Sequence, residues 1–331
     1  MHTTIQQELQ QQPSPRKRGK VIVKCLVSCL LLGYLLYNAD FASIWGALQH
    51  TSPLWLVIAF SLHAIGFWLT ALRWKMLLAA RNAHLSTWYL LRSVLIGIFF
   101  NNFLPSTVGG DVFRAYDTSK QVGSMTESMT VVVVERLSGV FTLGLFALFA
   151  LLFGFSHFGH IPIIWLAIGG LGIIFILFLA AMNPRVAAFV KNLFEHPELI
   201  RIPFFKKVQA KLKQIYEALS VYRKNSRVMI EAFFLALLLQ VNVVLHYFCI
   251  SHALHLGVPV LYFFLIIPVV TVVLMLPLFI NGIGGREAAF IVLLGAFQVT
   301  KPEAIAFSWV AFGMILVQGV AGGIVYALRK D

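Results

Sequence analysis

Carboxylates are scarce in this chain: 13 Asp and Glu in 331 residues, against 26 Lys and Arg, with all four charged types together making up only 12%. A water-soluble globule cannot cover itself with so little charge. With 59% hydrophobic residues and a mean hydropathy of +0.84, the composition is that of an all-α polytopic membrane protein. Cysteine is nearly missing too. Cys25, Cys29 and Cys249 give no disulfide framework and no ligand spacing, and Cys25 and Cys29 read as packing residues of one apolar run. His157 and His160, like His252 and His255, sit three apart with no carboxylate or cysteine beside them, so neither a metal nor a cofactor is expected.

The net charge of +13 would ordinarily raise nucleic acid as a partner. Here the basic residues fall in short blocks between apolar segments, with no basic stripe on a soluble module, which excludes that class. Blocks of this kind set membrane orientation and meet an anionic lipid surface on the cytoplasmic side.

What the chain has in abundance is long apolar sequence. Residues 1–19 are polar and Gln-rich, with Pro13 and Pro15, and read as a disordered cytoplasmic tail. From residue 20 to 331 a single transmembrane domain is expected, with a basic cytoplasmic loop at 183–227. Its apolar segments lie at about 21–37, 53–72, 88–104, 127–153, 161–182, 228–250, 260–280, 286–298 and 304–328, each judged against the roughly 20 residues that cross a bilayer. The first has no small-residue cleavage site and reads as a retained anchor.

Parity decides which segments cross. Arg16, Lys17, Arg18, Lys20 and Lys24 place the N-terminus inside, and after two crossings Arg73, Lys75 and Arg81 are inside as well. If 88–104 crossed, the loop at 183–227, which carries Arg185, Lys191, Arg201, Lys206, Lys207, Lys211, Lys213, Arg223, Lys224 and Arg227, would face out. A hairpin at 88–104 that dips in from the cytoplasm and returns removes the conflict. A second hairpin at 260–298 dips from the outside, and the C-terminus ends in the cytoplasm. The total is about six full spans and two re-entrant helical hairpins. Span, hairpin and span then occur twice with opposite orientation, as in an inverted repeat whose hairpin tips approach each other near the midplane. Within the loop, Val208, Leu212, Ile215 and Leu219 recur at helical spacing, as in a helix lying on the cytoplasmic surface.

Both hairpins break at a proline, a glycine pair and a charge: Pro105 to Asp111 and Pro277 to Glu287. Irregular backbone at membrane depth survives only where protein or a wet cavity covers it, and such breaks mark substrate sites. Asp111, Arg114, Glu135, Arg136, Arg286 and Glu287 lie within or beside the apolar segments, where an unpaired ion costs at least about 2.5–3.5 kcal/mol. Two readings stay open. The charges form an ionic network that only fixes hairpin docking, or Arg136 and Arg286 bind an anionic headgroup while Asp111, Glu135 and Glu287 orient them. In the second reading Gly109, Gly110, Gly282, Gly284 and Gly285 are part of the binding site, since helices beginning after such turns aim free amides at an anion. His63, Gln240, Asn242 and His246 read as interhelical hydrogen-bond partners, and Gly319 and Gly323 as a helix-packing face.

The stretch from Asn102 through Pro105, Gly109, Gly110, Asp111 and Arg114 to Tyr116, followed by Glu135-Arg136-Leu137-Ser138-Gly139 and by Gly282-Ile283-Gly284-Gly285-Arg286-Glu287, resembles the lysylphosphatidylglycerol synthase transmembrane-region family, also called flippase-like domain proteins. The resemblance covers nearly the whole chain from about residue 20. It implies a bacterial or archaeal inner-membrane protein related to the part of the lysyl-lipid synthases credited with moving modified phospholipid between leaflets. The soluble aminoacyl-transferase domain of those synthases is not expected here, and neither is lysyl transfer, so no catalytic residue is assigned.

Three functions follow. The chain translocates a phospholipid or lipid-linked precursor with an anionic or phosphate headgroup. Or it is a membrane-embedded transferase acting on a lipid-linked donor, for which Asp111, Asp40 and Glu303 are the available carboxylates. Or it is an ion-coupled carrier of a small solute, with Glu135 as coupling group.

Overall fold

The computed structural model describes residues 41–103, 109–159, 161–182, 226–275, 279 and 281–329. The N-terminal tail, the first apolar segment with Cys25 and Cys29, and the basic loop with its surface helix, apart from its last residues, lie outside the described residues. So do residues 104–108, 276–278 and 280 within the two breaks.

The described residues form ten helices and no strand: α1 (Phe41–Gln49), α2 (Pro53–Ala79), α3 (Thr87–Phe103), α4 (Gly109–Val122), α5 (Met125–Phe158), α6 (Pro162–Met182), α7 (Ser226–Ala253), α8 (Val260–Met275), α9 (Gly285–Gly295) and α10 (Lys301–Leu328). Local chemistry sets several starts. Ser52 is extended ahead of Pro53, whose fixed φ suits the first helical position. Ser124 Oγ accepts from the Glu127 amide at 3.3 Å and caps α5. At α10, Glu303 Oε2 accepts from the Thr300 amide at 2.8 Å and the Thr300 hydroxyl at 2.7 Å.

Among the described residues four helices are long and apolar enough to cross a membrane: Pro53–Ala79, Met125–Leu152, Arg227–Ala253 and Lys301–Leu328. Their outer faces carry large exposed apolar side chains such as Leu54, Ile65, Leu152, Phe234, Val317 and Ile324, as lipid contact requires. Shorter apolar stretches run Ile164–Ile173 and Val260–Met275. One expected boundary is corrected. The second apolar segment does not end at residue 72; α2 continues to Ala79 and carries Arg73 and Trp74 into the interior, both almost wholly buried.

Helix neighbours follow a repeated pattern. α2 packs on α3 as α7 packs on α8; α3 on α4 as α8 on α9; α4 on α5 as α9 on α10; and α2 on α5 as α7 on α10. The exchanged pairs α3–α10 and α5–α8 correspond too, as do α1–α10 and α5–α6, while α2 and α7 pack on each other most extensively of all. Exchanging the first five helices with the last five thus preserves every packed pair except α5–α7 and α6–α8.

Where helices touch in a membrane, small residues bring backbones together. A Cβ on Gly322 of α10 would fall 2.1 Å from the Leu95 carbonyl oxygen of α3, and Gly319 and Gly323 face Asn102 and Phe99 of the same helix. The expected packing face is therefore present, with Gly322 at its tightest point.

Candidate functional site

The two breaks touch. Asn281 Nδ2, in the second, donates to the carbonyl of Asn102, at the edge of the first, at 3.1 Å. Asn102 in turn donates through Nδ2 to the Ile315 carbonyl of α10 at 3.0 Å. Around this contact the buried charges fall into two groups rather than one.

The first group joins α2, α4 and α5. Glu135 is 6% exposed and accepts from Arg73 through one oxygen and Arg114 through the other, each at 3.0 Å. Arg114 also lies 3.5 Å from Asp111 and stacks over Trp74, with Cζ 4.1 Å from the ring centre. Asp111 Oδ2 accepts from Arg136 Nε at 2.8 Å and from its Nη2. Three guanidiniums thus meet two carboxylates, leaving one positive charge in excess. Arg136 carries it outward: its side chain is 62% exposed, although it sits about 16 Å along α5 from Met125, inside a candidate span.

Glu135 and Arg136, adjacent on one helix and pointing in different directions, find their partners on other segments: Glu135 holds Arg73 and Arg114, and Asp111 orients Arg136. Arg73 was not among the candidates; with Lys75 and Arg81 beside it, the sequence reads as a cytoplasmic loop. A signal was present in the apolar residues Leu72 and Trp74 on either side of it.

The second group lies on α9 and α10. Glu287 does not orient Arg286: its Oε2 accepts from the Gly284 amide at 2.7 Å, capping α9, and its Oε1 from the Ser308 hydroxyl at 2.8 Å. Arg286 is 4% exposed. Its Nη2 donates to the Asn281 carbonyl at 2.7 Å, its Cζ lies 4.3 Å from the Phe312 ring centre, and its Nη1 has no partner among the described residues. None of the described residues gives it a carboxylate, and the residues of the two breaks outside the description are Leu, Pro, Ser, Thr, Val and Ile.

The glycines are structural at both breaks. Gly284 takes φ +82° and Gly282 φ +75°, in the left-handed region. A Cβ on Gly110 would fall 2.0 Å from the Gly97 carbonyl oxygen, so α3 and α4 approach only because residue 110 is glycine. Gly285 lies against Phe279, and Gly109 opens α4 half-buried. The helix starts offer fewer free amides than expected. Asn101 Oδ1 takes the Gly110 amide at 2.8 Å, the Gly282 carbonyl takes that of Arg286 at 2.9 Å, and Glu287 takes that of Gly284. Any anion would therefore meet guanidiniums first.

Of the other four polar candidates, Asn242 and His246 bond between helices as expected, whereas His63 Nδ1 and Gln240 Nε2 have no partner among the described residues. Asn242 Nδ2 donates to the Leu62 carbonyl at 2.8 Å, and His246 Nδ1 to that of Ala59 at 2.8 Å. Of the carboxylates a transferase would use, Asp111 is held by two guanidiniums and Glu303 caps α10, while Asp40 lies outside the described residues. At the far end of α10, Arg329 grips Asp117 of α4 with both nitrogens, at 2.9 and 3.0 Å, and stacks on Tyr89.

Comparison with known proteins adds a family to this geometry. A family model described as "Lysylphosphatidylglycerol synthase TM region" matches residues 21–323. A UPF0104 membrane protein of Methanocaldococcus jannaschii is 28% identical over 172 residues, 50% of this chain and 51% of the relative. Another, of Methanothermobacter thermautotrophicus, is 32% identical over 99 residues, 30% of this chain and 28% of its own length. A third, of Pyrococcus horikoshii, is 24% identical over 148 residues, covering 42% and 44%. The chain thus matches at most about half the length of these curated relatives. No solved structure matches.

Proposed function

The chain belongs to the lysylphosphatidylglycerol synthase TM-region family, and on that footing we propose that it moves a phospholipid or lipid-linked precursor between leaflets by holding the headgroup phosphate on guanidiniums. The observation that carries the reading is Arg286: a buried cation without a carboxylate among the described residues, beside the contact between the two breaks. A lone charge at such a place calls for an anion, and phosphate matches the guanidinium fork. Arg136, exposed on α5 and steadied by Asp111, is the outer landing point. The acyl or prenyl tail stays in the bilayer.

In this reading α3–α4 and α8–α9 are re-entrant hairpins entering from opposite leaflets, and segment 21–37 and α6 complete six full spans. The two halves are an inverted repeat, a view the exchange of neighbours supports. Both termini face the cytoplasm of a bacterium or archaeon, and the loop at 183–227 meets anionic lipid there.

Proteoliposome assays with a labelled anionic phospholipid test the mechanism. Arg286→Gln and Arg136→Gln are expected to fold and to lose transport. Wild-type rates in both variants would overturn it.

A further inference from the structure

A second polar cluster fills the seam where α2 packs on α7. The His63 and His246 rings stack with centroids 4.7 Å apart and planes 23° from parallel. His246 is 2% exposed, and its Nδ1 is paired with the Ala59 carbonyl. A carbonyl only accepts, so this nitrogen carries the hydrogen and Nε2 keeps the basic lone pair. Gln318 of α10, 5% exposed, lies against His63 without completing a hydrogen bond of good geometry. Both its amide atoms, His63 Nδ1 and Gln240 Nε2 are buried without a partner among the described residues.

Such groups are costly to leave unpaired in a protein interior. One added proton changes the account: an imidazolium at His63 donates from both ring nitrogens, where either neutral tautomer donates from one only. Among the described residues no carboxylate or guanidinium of α2, α3, α5, α7, α8 or α10 acts on either ring, and the titratable group acting on His63 is His246. Two positive rings at this separation repel strongly, so the pair takes a single proton. Tyr247, next to His246, lies in the field of Arg286, which brings the cluster close to the proposed headgroup site.

We propose that His63 and His246, with Gln318, form a proton-binding site at the seam of the two halves, and that this site couples lipid movement to a proton gradient. The proton comes from water on one side, adds to an imidazole lone pair, and returns to water on the other. A charge gained between α2 and α7 loosens the stack that joins the halves. Glu135 cannot serve in this way, since each of its oxygens already accepts from a guanidinium. The coupling half of the proposal rests on the transport reading; the proton site does not.

Two measurements on the full chain separate them. In nanodiscs, ¹⁵N-histidine NMR is expected to follow the two imidazoles as a coupled pair taking up one proton, and the coupling is lost in His63→Phe, which keeps a ring in the stack. In proteoliposomes an imposed pH gradient is expected to change transport of labelled phosphatidylglycerol on the order of tenfold in the wild type. In His63→Phe and His246→Gln the gradient has no effect, while transport at equal pH persists. Independent titration of the two rings would overturn the proton site. A gradient response that survives in both variants would overturn the coupling. A wild type that moves no lipid would overturn the transport reading and the coupling with it, leaving the NMR titration to decide the site alone.

Discussion

Glu135 accepts from Arg73 through one oxygen and from Arg114 through the other, so neutralising it strands two buried guanidiniums. Glu135→Gln is therefore expected to destabilise the protein by about 3–5 kcal/mol, seen as an earlier thermal unfolding transition in detergent. Arg136→Gln, at an exposed side chain, is expected to change stability by less than about 1 kcal/mol. Equal losses in the two variants would contradict the geometry. Asp111, Arg114, Glu135 and Arg136 were legible in the sequence because a charge in an apolar run announces itself. Arg73 was not, because its apolar neighbours Leu72 and Trp74 only hint that α2 continues, while the groups it meets on α5 and α4 lie far away in the chain. Glu287 was legible as a residue but not in its role, since a carboxylate three positions after a glycine can serve its own helix start as well as a neighbouring cation.

At the scale of helices, closeness is set by missing side chains. Gly322→Ala places a methyl 2.1 Å from the Leu95 carbonyl oxygen and should force α10 from α3, whereas Gly313, with nothing within 4 Å, should accept alanine without loss. Monodispersity and thermal stability of the two variants in detergent check this, and similar behaviour would show that the α3–α10 contact is looser than described. The breaks themselves were readable, because a proline followed by a glycine pair cannot continue a helix. Gly322 was passed over for Gly319 and Gly323, since a four-residue spacing of small residues names a face without saying which member meets the partner backbone.

For the whole molecule, orientation is the open variable, and the proposed topology makes it measurable. In right-side-out vesicles a membrane-impermeant maleimide should label Lys301→Cys directly and Gln121→Cys only after permeabilisation, both side chains being exposed. The reverse pattern would turn the hairpins round. In the proposed topology the order of span, hairpin and span comes from charge parity, because lysine and arginine report sidedness locally. The exchange of α3 and α8 between the halves was not readable, since pairing partners lie more than a hundred residues apart and nothing in a single chain states which apolar faces meet.

The grip of Arg329 on Asp117 reaches beyond the end of α10. Because it fastens the last turn of α10 to α4, an alteration at this arginine is felt in the first half of the chain. A purification tag fused directly after it, or a trimming that removes it, works on a clasp rather than on an idle tip, and a spacer should be placed between the two before any activity is compared.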